Sequence, residues 1–257
     1  MVDGALFERY ARALSSNADM AQAELSTLLR DYLSDMPAGE LLDVLRDLWP
    51  ALVAKYGDRA AQVATEFYRA QRDLAAPESA YDPVPAVADA DAARADLLSR
   101  VDADTTTDAV ARMLPGQLVR LVNAQADATV TENARADPAR PRWALVPHPG
   151  ACGWCVLVAS RGFDYTRSGK VPRHDNCRCT TVADFDRERP SLEGYDPDGL
   201  AARYADARSE VEAQAQAEWA DLSQSARNRY RNPNTSAYQA FLRNKVIYRI
   251  GRDRSGE

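Results

Sequence analysis

The four cysteines and both histidines of this chain all fall between His148 and Cys179. They occur as His148-Pro-Gly-Ala-Cys152-Gly-Trp-Cys155 and then His174-Asp-Asn-Cys177-Arg-Cys179. The pattern is C-x2-C, eighteen residues, then H-x2-C-x-C. Scattered at random over 257 positions, six such residues would almost never gather so closely. Thiolates and imidazoles at these spacings are what a tetrahedral zinc ion needs: two short chelating pairs brought together by a closing loop. Zinc takes four ligands, and five are on offer: Cys152, Cys155, His174, Cys177 and Cys179. The two cysteine pairs suffice for an all-sulfur site. Alternatively, His174 and Cys177 form the second chelating pair, with Cys179 standing behind them. A structural zinc site contributes roughly 10 kcal/mol or more, enough to order a loop with little core of its own. His148, between two prolines, reads as a loop residue.

Three rival chemistries use the same residues. Cys152-Gly-Trp-Cys155 is similar to the redox C-G-x-C turn, but that turn works at a helix start within a βαβ unit, and none is visible here. Cross-paired disulfides are a second possibility. The third is a nucleophilic Cys152 or Cys155 with His174 as base and Asp175 as the orienting group. A metal nuclease fits less well, because such sites want carboxylate and histidine ligands around an open position.

The rest of the chain has the pattern of a mainly α (α+β) protein, with helical bundle regions around a small β-containing Cys/His knuckle. Asp3 is placed to cap a helix carrying Leu6, Tyr10 and Leu14 on one face, continued by Leu25, Leu28, Leu29, Tyr32 and Leu33. Pro37-Ala-Gly39 interrupts the stripe. It resumes with Leu41, Leu42, Leu45, Leu48, Trp49 and Leu52, then Val63, Phe67 and Tyr68. Three prolines between Ala75 and Pro85 mark a linker or an extended crossing segment. Helices are expected from about Asp89 to Val101, from Thr107 after the Asp104-Thr-Thr-Thr capping cluster, and from about Pro115 through Asn133. Trp143–Val146 reads as a strand and Thr180–Val182 as its closing partner, whereas Val156–Ser160 is too short for periodicity to decide. Arg161-Gly162 and Ser168-Gly-Lys170 are turn signals. A helix from Gly199 to about Arg229, the Asn232-Pro-Asn-Thr235 break and a last short basic helix complete the chain. The organisation expected is therefore 1–74, an N-terminal helical region; 75–90, a Pro-rich linker; 91–190, a core with the knuckle; and 191–257, a C-terminal helical region with a basic tail.

No run of about 18 apolar residues is present, so no membrane-spanning segment is expected. The N-terminus lacks the basic-then-apolar pattern of a secretory leader, which points to synthesis in a reducing cytosol, where clustered cysteines favour metal over disulfides. The net charge of −6 hides an asymmetry. Arg227, Arg229, Arg231, Arg243, Lys245, Arg249, Arg252 and Arg254 face one acid, Asp253, at the C-terminal end, and the remainder is acidic. Such a tail, interleaved with Tyr230, Tyr238, Phe241 and Tyr248, fits an acidic protein surface or nucleic-acid phosphates. It equally fits a helix face that neutralises the chain's own acidic body.

The stretch from Trp143 through Ala-Ser160-Arg161-Gly162, with aromatic Phe163 and Tyr165, followed by His174-Asp-Asn-Cys177-Arg-Cys179, resembles the minor head proteins of tailed bacteriophages. The group is the phage Mu protein F-like (MuF-like) one, in its actinobacteriophage branch. Arg120-Leu-Val-Asn-Ala-Gln-Ala-Asp127 is similar to the helix preceding the motif in that group, and the likeness covers roughly residues 105–185. The resemblance implies a virion protein of the procapsid or head interior, near the portal vertex. It would be made in the host bacterial cytoplasm, contact portal and capsid proteins, and act in head morphogenesis or in handling DNA. Members are often labelled capsid maturation proteases, yet no Ser-His-Asp or Ser-Lys arrangement is apparent. The reading that follows is a non-enzymatic minor capsid protein with a structural zinc site, with a capsid maturation protease or other Cys/His-dependent enzyme as the alternative.

Overall fold

The computed structural model describes residues 1–164, 171–231, 233 and 235–255, with residues 252–255 described by their backbone alone. Tyr165, the Ser168–Lys170 turn signal, Asn232, Asn234 and the side chains of Arg252, Asp253 and Arg254 lie outside the described residues. The chain is mainly helical with one small antiparallel sheet, as the stripes and caps predict. It divides into two compact units: Met1–Val146 with Phe163–Gly194, and Pro147–Gly162 with Tyr195–Glu257.

In the first unit, α1 (Gly4–Asp31) starts where Asp3 accepts from the Leu6 N–H at 2.7 Å. The break at Pro37 leads into α2 (Ala38–Ala75), whose Leu41, Leu45, Trp49 and Tyr68 are fully buried. α3 (Ala90–Leu98) is capped by Asp89, and α4 (Thr107–Ala136) by Thr106 from the threonine cluster. The helix expected to begin near Pro115 does not: Pro115 lies inside α4. Proline forfeits one helical donor. The stripe Val110, Leu114, Leu118, Val122, Ala126 and Val130 nevertheless runs straight through it, every residue fully buried. Burial of that stripe outweighs one missing hydrogen bond.

α4 packs against α1 and α2 and is buried around most of its circumference. On one side, Asn133 and Thr129 hold the proline-rich segment as an extended crossing strand. Asn133 exchanges hydrogen bonds with Val84 (2.9 and 2.7 Å) and accepts from the Tyr81 hydroxyl, while Thr129 accepts from the Ala86 N–H. Side chains thus satisfy a backbone that three prolines keep out of a helix. Asp137 closes α4 and forms a buried pair with Arg72 at 2.8 Å. The strands β1 (Arg142–Val146) and β2 (Thr180–Asp184) pair antiparallel, Arg142 opposite Asp184 and Val146 opposite Thr180, and both strands lie against α4.

The second unit contains α5 (Gly153–Ala159), α6 (Pro197–Asp221), α7 (Gln224–Asn228) and α8 (Ala237–Ser255). The undecided Val156–Ser160 stretch is mostly α5. The helix expected to reach Arg229 stops at Asp221 because Leu222 turns extended and Ser223 caps a new helix by accepting from the Ala226 N–H. The core is Val156, Ala207, Ala215, Phe241, Leu242, Val246 and Ile250. Among the described residues, no helix is long and apolar enough to cross a membrane.

Candidate metal centre

Cys152 and Cys155 are placed by the start of α5. Cys152 is the N-cap, with extended backbone, and Cys155 lies three residues on, so both sulfurs fall on one side of the first turn. Gly153 between them has a steric reason: a Cβ there would overlap the Ile247 carbonyl of α8. Trp154 lies under the Arg243 guanidinium, 5.7 Å from ring centre to carbon. His148 sits in the preceding loop, with Nδ1 2.6 Å from the Pro149 carbonyl.

Residues 173–179, at the other end of the sequence window, belong to the first unit and are fixed there by α4. The turn His174–Cys177 closes through the Cys177 N–H to the His174 carbonyl at 3.1 Å. Asn176 takes φ +61°, a left-handed conformation that asparagine tolerates. Its N–H donates to the Gly116 carbonyl at 2.9 Å, and its side chain lies where a Cβ on Gly116 would be. Asp175 accepts from Arg100 at 2.7 Å and from Arg120 at 3.0 Å. The carboxylate expected to orient His174 in a Cys–His nucleophile pair is therefore held by two arginines. Asn123 donates to the Cys177 carbonyl at 3.0 Å. Cys179 then leads directly into β2.

In the second unit the ligand atoms of Cys152 and Cys155 lie within 4.8 Å of each other, and in the first unit so do those of Cys177 and Cys179. Sulfur atoms sharing one tetrahedral zinc, each about 2.3 Å from the ion, stand about 3.8 Å apart, so the spacing within each pair suits chelation of one ion. His174 Nδ1 lies 2.7 Å from the Asp175 carbonyl, the kind of hydrogen bond that metal-ligating imidazoles ordinarily make through the nitrogen that does not bind, and it would leave Nε2 for an ion. The donor set fits a thiophilic ion such as zinc and does not fit a hard, oxygen-seeking cation.

Sequence alone assigns no role to Arg173, whose side chain is buried and forms a two-pronged pair with Asp127, including Nη2 to Oδ1 at 2.8 Å. Its remaining N–H groups donate to the Cys177 and Cys179 carbonyls, and Nη1 lies 3.5 Å from Cys177 Sγ. Burial works against its charge, but the Asp127 carboxylate and the neighbouring Cys177 and Cys179 hold the guanidinium firmly protonated. Thr181 of β2 donates to the same carboxylate at 2.6 Å. Nearby, burial and then the field of Asp127 push the Tyr10 hydroxyl far above its ordinary range. An arginine beside the H-x2-C motif, with an aspartate on a helix that is otherwise buried, is the signal that points to this pair.

The basic tail is largely engaged with its own unit. Arg249 pairs with Glu210 at 2.8 Å, Lys245 pairs with Glu218, and Arg227 donates to the Trp219 and Ala220 carbonyls. Tyr230, Tyr238 and Phe241 surround Trp219 edge-on or tilted, whereas Tyr248 is exposed. Arg229 and Arg231 are exposed.

No curated protein and no solved structure matches the chain. A protein-family model, described as VG15 protein, matches residues 1–207, a span that includes every cysteine and histidine and leaves out the basic tail. The chain belongs to the VG15 protein family, a family of phage gene products.

Proposed function

We propose that this protein is a minor head protein of a tailed phage, of the MuF-like kind, acting by binding rather than catalysis and held in shape by a structural zinc ion. The observation that carries the reading is the pairing of thiols within each unit, Cys152 with Cys155 and Cys177 with Cys179, each pair within 4.8 Å as chelation requires. Four of the five would complete the shell, and the ion, when bound, supplies cross-linking rather than a reactive site. Membership of a phage protein family supports the head-protein part of the reading. In this reading the helical first unit docks on portal or capsid subunits near the portal vertex. Arg229 and Arg231 are the tail charges most available to an acidic partner, whether portal surface or DNA.

Elemental analysis of the purified chain, with thiol titration before and after chelation, tests the metal. One zinc per chain with four protected thiols is the expected result. A metal-free protein with one hyper-reactive thiol would overturn it in favour of a cysteine enzyme. Immunodetection in purified heads and tails tests location: the protein is expected in heads, and its absence from the particle would refute a virion role. DNA binding, if that is the tail's use, weakens steeply with salt.

A further inference from the structure

Helix α4 carries polar side chains at positions 120, 123 and 127, spaced three and four residues apart and so on one face. Each meets a different part of the segment 173–179. Arg120 grips Asp175, Asn123 donates to the Cys177 carbonyl, and Asp127 holds Arg173. Arg173 passes that anchorage on through its hydrogen bonds to the Cys177 and Cys179 carbonyls. One turn before Arg120, Gly116 accepts the Asn176 N–H. The segment thus has its backbone tied to the helix on both sides of Cys177, by contacts that involve no ligand atom of a metal except the Arg173 approach to Cys177 Sγ.

We infer that Asn123, Asp127 and Arg173 are positioning residues that build the Cys177/Cys179 part of the ligand set before metal arrives. The inference rests on the metal-centre reading above. Two physical effects follow from the geometry. Ligands already ordered lose no further freedom on binding, which raises affinity without a new contact. A zinc ion with four thiolates carries a net charge of −2, or −1 with three thiolates and an imidazole, and the buried Arg173 guanidinium supplies a counter-charge beside Cys177. Partners of this kind, behind the ligands themselves, typically change metal affinity by about 10–100-fold.

The test uses the full chain with zinc alone as the probe, in competition with a chromophoric chelator, and with cobalt(II) as a spectroscopic substitute. Asn123→Ala removes one tether. Arg173→Lys keeps the charge but loses the planar fork. Thr131→Ala is the control, because Thr131 lies one turn beyond Asp127 and its hydroxyl bonds Ala128 within the helix. Asn123→Ala and Arg173→Lys are expected to weaken zinc binding by about 10–100-fold and to alter the cobalt–thiolate charge-transfer bands, with Thr131→Ala unchanged. Hydrogen exchange on chelated wild-type protein covers the case in which a variant does not fold. The Asn176 and Cys177 amides, bonded to the Gly116 and His174 carbonyls, are expected to stay protected without metal. Wild-type zinc affinity and cobalt spectra in both variants, or loss of that protection on chelation, would overturn the inference while leaving the metal centre standing. A wild-type chain that binds no zinc would overturn both.

Discussion

Asp127→Ala removes the partner of a guanidinium that is 2 % exposed, from a carboxylate that is 5 % exposed. With water shut out, Arg173 is left charged and uncompensated, a loss that costs about 3–5 kcal/mol at buried pairs. Thr181 also loses its acceptor, adding about 1 kcal/mol. For a unit of this size each kcal/mol lowers the melting temperature by about 2–4 °C, so a drop on the order of 8–24 °C is expected. Removing both charges with Asp127→Ala and Arg173→Met should restore most of the loss, because the buried charge goes with its partner. Asp175→Ala is the contrast: that carboxylate is 32 % exposed, its partner Arg100 is 34 % exposed, and Arg120 keeps Asp96 as a second partner, so the change should cost only about 1 kcal/mol. Chemical denaturation followed by circular dichroism, with zinc present throughout, measures all four proteins. A cost below about 1.5 kcal/mol for Asp127→Ala, against the buried-pair expectation, or a double variant no more stable than the single, would refute the reasoning.

Alkaline stability should fall through two tyrosines. Burial first, and then the fields of Asp127 and Asp137, push the Tyr10 and Tyr68 hydroxyls far above their ordinary value near 10. The folded state therefore holds protons that the unfolded chain gives up, so the stability they contribute is whole below about pH 10 and is lost above it, by up to about 1.4 kcal/mol per pH unit for each tyrosine. The Tyr10 hydroxyl has no hydrogen-bond partner among the described residues and its ring stacks on Phe67, so Tyr10→Phe should be near neutral at pH 7 and should flatten the alkaline slope in urea titrations at pH 9–11. Gly153→Ala should destabilise the second unit by about 1–3 kcal/mol through collision with the Ile247 carbonyl, while Gly251→Ala, with open space around it, should gain up to about 1 kcal/mol of helix propensity; thermal melts compare them. Cys155→Ser, which removes one thiol of the Cys152/Cys155 pair, should lose metal and thermal stability together, read by elemental analysis and calorimetry.

The two thiol pairs were legible as chelating spacings because thiols and imidazoles are scarce here and chelation demands short spacings. Helix starts at Asp3 and Thr106 were equally legible, since capping is a local transaction between one side chain and the next turn. Pro115 misled because its local penalty is visible in one dimension and the burial that outweighs it is not. The α6 end was missed for the converse reason: Ser223 looks like a helix residue until its hydroxyl is seen to cap the next helix. The tail's excess of charge was plain from composition, yet Glu210 and Glu218, eight residues apart on α6, are what Arg249 and Lys245 meet. Arg173 and Asp127 are separated by 46 positions, and only the packing of the chain on α4 makes them neighbours.

The register of β1 on β2 has a consequence for how the cysteine-bearing segment tolerates change. Val146 faces Thr180, so the two ends of everything between them are joined by the ladder rather than by the loop's own contacts. Because Cys179 immediately precedes Thr180, and strand side chains alternate in direction, losing one residue at that junction would turn the last thiol to the opposite face. Length variation should therefore be absorbed well before Arg173 and hardly at all from there to the strand.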